Sequence, residues 1–428
     1  MKRIRAIGAY SGAIGTPWVR QAGQAIAYLC IPLSLVAGPT IESPLWMLVP
    51  CAVVAAFGVA AVFRGATVPE LVVQVGYFFL GWYVLLTAIE LVHGDLVRFP
   101  RPIAADFLAT YFVLLAFPFF VIGLRELRAE RAALEWSMAA TVAIATVWSL
   151  VGFFVFQIAR PGGFNGLNSI SFGMVVLLWG LFLLAGSLSA GTPDWRRLVP
   201  ALLALIPVVL AGSKLVWICA AIGYGLTFVW WAVSARRWVT LAVTILAAAA
   251  IAVVLAQADF VQIRLTQMAA DVGSYLATGD TSGTTFGIRF AAATSGFYAF
   301  LDQPLLGYGL ADVKVAALMH RPESFADFSY LWHLHNQYVT HLVAFGIPGL
   351  LFLVSLFGTF LFVGWRTADP GVRRFAVSTV VACAVYMGAE LLFPRTPLYG
   401  TIFFLLAVCI VIVTREEPEP RQVAVAAA

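Results

Sequence analysis

The chain has 428 residues, of which 62% are hydrophobic and only 11% are charged. This composition excludes a soluble globular protein and indicates an integral membrane protein. The formal net charge of +5 gives no reason to invoke nucleic acid, because it follows from the topology of the membrane segments described below.

Apolar runs of about 20 residues are long enough to cross a hydrocarbon core of roughly 30 Å as helices. Because these runs are apolar on every face, the alternating pattern of a membrane barrel is missing. The sequence therefore predicts an all-α polytopic membrane protein with 12 transmembrane helices. The predicted spans are residues 24–38, 45–63, 70–90, 104–124, 134–158, 169–189, 197–212, 214–234, 238–257, 339–365, 374–392 and 398–414.

Lysines and arginines predict the orientation, because cytoplasmic segments of inner-membrane proteins carry an excess of them. If the amino terminus is inside, 17 of the 26 basic residues fall in inside segments. Of the other nine, four lie in one long loop that is left out of such a count. Both termini are therefore predicted to be cytoplasmic, which agrees with an even number of spans.

One connection is much longer than the others and divides the chain. Residues 1–257 are predicted to carry spans one to nine, residues 258–338 a folded outer loop, residues 339–414 spans ten to twelve, and residues 415–428 a cytoplasmic tail. Within the loop, "FVQIRLTQMAADVGSYLAT" and "GIRFAAATSGFYAFLDQ" have apolar residues at helical spacing. We expect amphipathic helices lying on the outer membrane surface.

Three basic residues on the predicted outer side are candidates for binding an anionic group. Arg264 and Arg289 open the two loop helices, and Lys214 follows the turn between spans seven and eight. An arginine fork suits the oxygens of a diphosphate. The alternative is that these side chains lie at headgroup level and bind lipid phosphates.

Four of the five histidines fall within residues 320–341. His335 can accept a proton from an attacking hydroxyl near neutral pH, and the adjacent Asn336 can fix the imidazole or bind a sugar hydroxyl. The alternative is a structural histidine at a helix start. A metal site is disfavoured, because His333, His335 and His341 lack the i, i+4 spacing of a helical zinc site and no outer segment has an Asp-x-Asp pair.

The stretch "GIRFAAATSGFYAFLDQPLLGYG", followed by "HLHNQYVTHLVAFGIPGLL", resembles the signature of the O-antigen ligase and polymerase superfamily. That signature has an Arg opening a helix, a Pro-Leu-Leu-Gly-x-Gly turn, and His-Asn leading into a span with Gly-Ile-Pro-Gly. The resemblance implies a GT-C-like membrane glycosyltransferase. By position, Arg289 would bind the diphosphate of a polyprenyl-linked glycan and His335 would be essential for transfer. Lys214 departs from the Ser-Arg that family members commonly have there.

The implied reaction moves O-antigen from undecaprenyl diphosphate to a sugar hydroxyl of lipid A-core, on the periplasmic face of the bacterial inner membrane. His335 would deprotonate the acceptor, with inversion at the anomeric carbon, and neither a metal nor another cofactor is expected. The expected partners are these two lipid-linked substrates and membrane lipids. The candidate substrate-binding residues beside Arg289 and His335 are Arg264, Lys214, Arg160, Asn336 and His333.

Other readings stay open on sequence alone. An O-antigen polymerase or a protein O-oligosaccharyltransferase would differ from the ligase in the acceptor, which a fold does not determine. A lipid-linked-glycan transporter would usually show repeated halves and ionisable residues deep in its spans. No repeat is visible here, and Glu90, Asp106, Glu135, Glu390 and Lys214 all sit near predicted span ends.

Overall fold

The structure is a computed structural model that describes residues 16–36, 45–93, 102–278, 284–321, 333–393 and 397–416. The chain is an all-α polytopic membrane protein, as its composition predicts. Within the described residues, seven helices are long enough and apolar enough to cross a membrane. Of the other five predicted spans, four each overlap one helix, and the span over residues 197–212 overlaps two.

Helices are numbered here in chain order over the described residues. They are α1 (Pro17–Leu33), α2 (Leu45–Phe63), α3 (Glu70–His93), α4 (Pro102–Glu126), α5 (Arg131–Phe154), α6 (Ser169–Ser187), α7 (Trp195–Leu203), α8 (Leu205–Leu210), α9 (Lys214–Ser234), α10 (Trp238–Ala256), α11 (Asp259–Thr278), α12 (Thr285–Asp302), α13 (Val313–Met319), α14 (Gln337–Phe345), α15 (Ile347–Arg366), α16 (Pro370–Met387) and α17 (Pro397–Glu416).

Helices α6 and α17 form the centre of the bundle. Nearly all of their residues are buried, as expected for helices that are apolar on every face. Trp179 of α6 packs edge to face on Phe404 of α17, and its indole N–H donates to Ser34 Oγ at 3.0 Å. This contact satisfies the indole inside an apolar core.

Glycines allow α2 and α4 to approach closely. A Cβ on Gly58 would lie 1.9 Å from the carbonyl oxygen of Phe119, and one on Gly123 would lie 2.0 Å from that of Val54. Small residues at such crossings let membrane helices pack backbone to backbone. Larger side chains at either position would force the two helices apart.

An ion-pair network joins α5, α7 and the start of α16. Glu135 accepts from Arg131 and Arg197, each at 2.8 Å, and Arg131 also pairs with Asp369. Arg131 begins α5, so this network lies at the end of α5 opposite to Arg160. It stabilises one end of the bundle, and the long segment after α10 lies at the other end.

The predicted seventh span is divided into two short helices. Helices α7 and α8 meet at Ala204, and each contains a proline, Pro200 or Pro207. Proline has no backbone N–H to continue the helical hydrogen bonds. The single span predicted over residues 197–212 is therefore replaced by two helical pieces.

The predicted tenth span is also divided, at Gly346. This glycine has a φ of +65°, and α15 starts directly after it with Pro348 in its first turn. The preceding turn packs against the break, because Ile347 N–H donates to the Pro304 carbonyl and Tyr308 N–H donates to the Val343 carbonyl, both at 2.8 Å. The two quoted sequence segments therefore meet in space.

The predicted outer loop contains α11, α12 and α13, so the expected helices are present over residues 259–278 and 285–302. Helix α14 begins at Gln337, two residues before the predicted return to the membrane. The predicted tail beyond residue 416 lies outside the described residues. The division of the chain into four parts stays a prediction.

Candidate functional site

Four side chains from three separate segments converge at one end of the bundle. Arg289 lies on α12, His333 and His335 precede α14, and Glu390 follows α16. Glu390 Oε2 lies 3.4 Å from Arg289 Nη2. Glu390 Oε1 lies 3.5 Å from His335 Nδ1 and 3.6 Å from His333 Nε2. We call these four residues the His-Arg-Glu cluster.

Local backbone geometry aims His335 into this cluster. His335 has a φ of +50°, which is rare for a residue with a side chain and occurs often at functional sites. Its backbone N–H donates to His333 Nδ1 at 3.2 Å, and the two rings meet edge to face. The next residue, Asn336, caps α14 by accepting from Val339 N–H at 3.0 Å.

The start of α14 is tied to the segment that carries Glu390. Asn336 Nδ2 donates to the Gly388 carbonyl at 3.0 Å. The buried Gln337 Oε1 accepts from Leu392 N–H and Phe393 N–H, both at 2.6 Å. These bonds involve residues both before and after Glu390 in the chain, and together they hold its carboxylate beside His335. Both ends of the Asn336 amide are engaged by protein, so sugar binding by Asn336 stays a prediction.

The charges in the cluster balance one another. Burial alone would raise the pKa of Glu390, but the contact with His335 and the charges of His333 and Arg289 hold that pKa below its usual range. Burial and the neighbouring charges of His335 and Arg289 lower the pKa of His333 to about 4, against the opposite pull of Glu390. At neutral pH, Glu390 is therefore ionised and His333 is neutral.

Two buried donors in the cluster have unused hydrogen-bonding capacity. Arg289 Nε and His335 Nδ1 are shielded from solvent and make no hydrogen bond within the described residues. The 3.5 Å contact of His335 Nδ1 with Glu390 is longer than an ordinary N–H···O bond. Such contacts are often long in a free enzyme and shorten when substrate binds. Arg289 Nε therefore remains available for an anionic ligand.

The same side chains resemble a metal site in spacing, because one ligand atom from each of His333, His335 and Glu390 lies within 4.8 Å of the others. Two features oppose metal binding. His333 Nδ1 accepts a backbone N–H, so the neutral ring carries its proton on Nε2 and has no lone pair there for a metal. The Arg289 guanidinium also lies beside the same carboxylate. Metal-independent action stays a prediction.

A second basic group adjoins the cluster. Arg160 Nε donates to the Ala211 carbonyl at 3.2 Å, which places Arg160 against the turn before Lys214. Arg264 lines a neighbouring cavity of about 300 Å³ together with Gly212. Burial, with the charges of Arg264 and Arg289, lowers the pKa of Arg160. We call Arg160, Lys214 and Arg264 the basic cleft.

The structure thus places six of the seven residues that the sequence singled out in these two groups, and the seventh, Asn336, follows His335 as the cap of α14. His341 is different, because it is fully buried and contacts Gln337 and Tyr111. Sequence reasoning did not include Glu390 among the site residues. The sequence places the Glu390 carboxylate at the outer end of a predicted span. On sequence alone, that position argues only against a transporter.

Comparison with protein families gives a match to part of the chain. The O-antigen ligase family model matches residues 199–354. The matched range contains Lys214, Arg264, Arg289, His333 and His335, and Arg160 and Glu390 lie outside it. No curated protein sequence matches the chain significantly. The match supports an enzyme of the O-antigen ligase or polymerase type, which acts on lipid-linked polysaccharide. Residues 199–354 of this membrane protein are thus similar to the O-antigen ligase family.

Proposed function

We propose that the protein is an O-antigen ligase, which transfers O-antigen from undecaprenyl diphosphate to a sugar hydroxyl of lipid A-core in lipopolysaccharide biosynthesis. One observation carries the proposal: Arg289 and His335, which come from separate segments, both lie within 3.5 Å of the Glu390 carboxylate. A group that binds diphosphate oxygens is thereby adjacent to a group that accepts a proton. Glycan transfer from a diphosphate needs both.

Arg289 is proposed to bind the diphosphate and stabilise its charge as it leaves. Arginine offers parallel N–H donors that match phosphate oxygens, and Arg289 Nε is buried without a hydrogen bond within the described residues. A preorganised cation in a site shielded from water stabilises developing charge strongly.

His335 is proposed to deprotonate the acceptor hydroxyl. The O–H bond breaks as the proton moves to the imidazole, and the oxygen forms a bond to the anomeric carbon. The bond from that carbon to the diphosphate breaks on the opposite face, and its electron pair stays on the diphosphate oxygen. Direct displacement inverts the anomeric centre, and the diphosphate leaving group removes any need for a further cofactor.

The basic cleft is proposed to bind the rest of the donor headgroup. Arg160, Lys214 and Arg264 carry three positive charges next to Arg289, and their mutual repulsion favours a ligand with more than one negative charge. The cavity beside Arg264 is also bordered by Phe153, Phe260 and Ile263, which suit the start of an isoprenoid chain. His333 is proposed to line the acceptor side.

The proposed location is the bacterial inner membrane, with the site facing the periplasm and both termini in the cytoplasm. The excess of basic residues in the opposite set of connecting segments supports this orientation. Membrane lipids surround the bundle, and nucleic acid has no part in the reaction. In the periplasm a lipid diphosphate supplies the activated sugar, so no nucleotide is needed.

Reconstitution with defined substrates tests the proposal. Purified full-length protein is incubated with undecaprenyl-diphosphate O-antigen, with or without lipid A-core, and the products are separated on a gel. We expect a glycan ladder on lipid A-core. Lengthening of the polyprenyl-linked glycan without lipid A-core would instead identify a polymerase, and no product in either tube would favour a transporter. A peptide acceptor in a third tube tests for protein glycosylation.

A further inference from the structure

Glu390 is out of place in a site that binds diphosphate. It is buried, and its carboxylate lies 3.4 Å from the arginine proposed to bind phosphate oxygens. A buried anion repels an anionic ligand, so this carboxylate weakens donor binding. Its presence therefore calls for a separate function, and its nearest side-chain partners other than Arg289 are the two histidines.

The partners of Glu390 define which histidine nitrogens carry protons. An ionised carboxylate only accepts hydrogen bonds, so the nitrogen that faces it carries the proton. His335 faces Glu390 Oε1 through Nδ1 at 3.5 Å. The neutral ring therefore has its proton on Nδ1 and its lone pair on Nε2. That tautomer presents a free base on the ring edge directed away from Glu390.

We infer that Glu390 is a positioning residue that fixes His335 as a general base, with Nε2 available to the acceptor hydroxyl. This inference rests on the proposed glycan transfer. When Nε2 takes the acceptor proton, the ring becomes a cation with Nδ1–H directed at Glu390, which stabilises it without being protonated itself. The proton then leaves to water after the new glycosidic bond has formed. His335 is thereby a base and not only a group that orients the acceptor.

The fold holds Glu390 in place for this function. Leu391 N–H donates to Glu390 Oε1 at 3.2 Å. Gln337 accepts the next two backbone N–H groups, and its own Nε2 contacts the buried His341 Nδ1 at 2.6 Å. His341 Nε2 in turn lies 3.2 Å from Tyr111 Oη of α4. The segment after α16 is therefore anchored through Gln337 to α4, independently of Arg289.

The inference predicts a specific division between turnover and binding. In Glu390→Gln, we expect kcat to fall about 100-fold or more, since a wrongly oriented histidine loses most of its value as a base. The KM for undecaprenyl-diphosphate O-antigen should not rise. The substitution removes a negative charge that repels the diphosphate, and it frees Arg289 from its ion pair with Glu390. Loss of phosphate binding would instead raise that KM.

The experiment measures kcat and donor KM across pH 5 to 9 for purified wild type, Glu390→Gln, Glu390→Asp and the control Asp302→Asn. Asp302 pairs with His320 at 2.7 Å, away from the cluster, and its variant should stay within about twofold of wild type. Glu390→Asp keeps the charge and should recover part of kcat. We also expect the kcat of wild type to fall at the acidic end of this pH range and the kcat of Glu390→Gln not to show this fall.

Double variants make the test independent of how well any single variant folds. In a His335→Gln background, Glu390→Gln should add little further loss of kcat, because both changes disable the same base. Wild-type kcat in Glu390→Gln, a loss expressed only in donor KM, or full additivity with His335→Gln would overturn the inference. Inactivity of the wild-type protein would instead count against the proposed function itself.

Discussion

His335 Nδ1 lies 3.5 Å from Glu390 Oε1, although one residue precedes α14 and the other follows α16. The contact joins the histidine of the quoted His-Asn segment to a carboxylate from which α14, α15 and α16 separate it in the chain. Because Glu390 also pairs with Arg289, a change at Glu390 alters the surroundings of both other residues.

Replacing His335 by alanine should reduce glycan transfer by about 100- to 10,000-fold, which is the usual contribution of a general base. Insertion should be unaffected, since the His335 side chain makes no buried hydrogen bond through Nδ1 in the described part of the chain. Product gels and membrane fractionation measure the two properties. His320→Ala is the matched control, because His320 pairs with Asp302 at the end of α12. Near-normal transfer by His335→Ala would remove this residue from the mechanism.

Arg289→Lys should lower transfer by about 10- to 100-fold, because lysine keeps the charge but loses the planar fork that matches a diphosphate. The measurement is kcat/KM for the undecaprenyl-diphosphate donor. Arg321→Lys, a change at an exposed position of the same segment, serves as the control. If the Arg289 variant is fully active, only the charge is needed there.

Chelation should leave the activity of the purified protein unchanged, because His333 directs an N–H and not a lone pair at the candidate metal position. Activity is measured before and after dialysis against EDTA. Inhibition that a divalent cation reverses would contradict both this tautomer and metal-independent transfer.

Stability should fall as the pH drops from about 6.5 toward 4, partly because of His333. In the folded chain the pKa of His333 is about 4, whereas an unfolded histidine titrates near 6.5. Between these values the unfolded chain binds the extra proton, so acid favours unfolding, and below about pH 4 the effect is complete. Thermal unfolding followed across this range should decline less in His333→Gln. Parallel curves for variant and wild type would contradict the prediction.

Gly307→Ala should destabilise the junction that supports α14. Gly307 has a φ of +68°, and an added Cβ would lie 2.4 Å from the Val343 carbonyl oxygen. The unfavourable φ alone costs about 1–2 kcal/mol. We expect a lower melting temperature in detergent and reduced transfer. Gly81→Ala in α3 is the control, because no described atom lies within 4 Å of its Cβ position. An unchanged melting temperature for Gly307→Ala would count against this packing.

Much of the fold follows from hydrophobic length alone. Runs of about 20 apolar residues give the helices because a lipid environment leaves backbone groups no other partners. Spans seven and ten were predicted as single helices, since Pro200, Pro207 and Gly346 are compatible with membrane helices in many contexts. Whether such a residue breaks a helix depends on neighbouring segments, such as the turn that packs against Gly346.

The site could be predicted only in part for the same reason. Arg289 and His335 belong to a recognisable local pattern, and charge type alone made Arg160 and Arg264 candidates. Glu390 belongs to no such pattern, because its function depends on a contact with a segment 55 positions earlier in the chain. A local sequence pattern does not predict a contact between residues so far apart in the chain. The closing of α16 at Met387, which places Glu390 outside the helix, was also not visible in a continuous apolar run.

Helix α10 carries a further consequence, because none of its residues is buried by the part of the chain that the structure describes. With lipid around it, its tilt is governed by matching its apolar length to the thickness of the bilayer. Its successor α11 carries Arg264, so a thicker or thinner membrane would shift one wall of the basic cleft. We therefore expect turnover in vesicles to vary with the acyl-chain length of the lipids, because the thickness of the membrane would set the position of Arg264 in the active site.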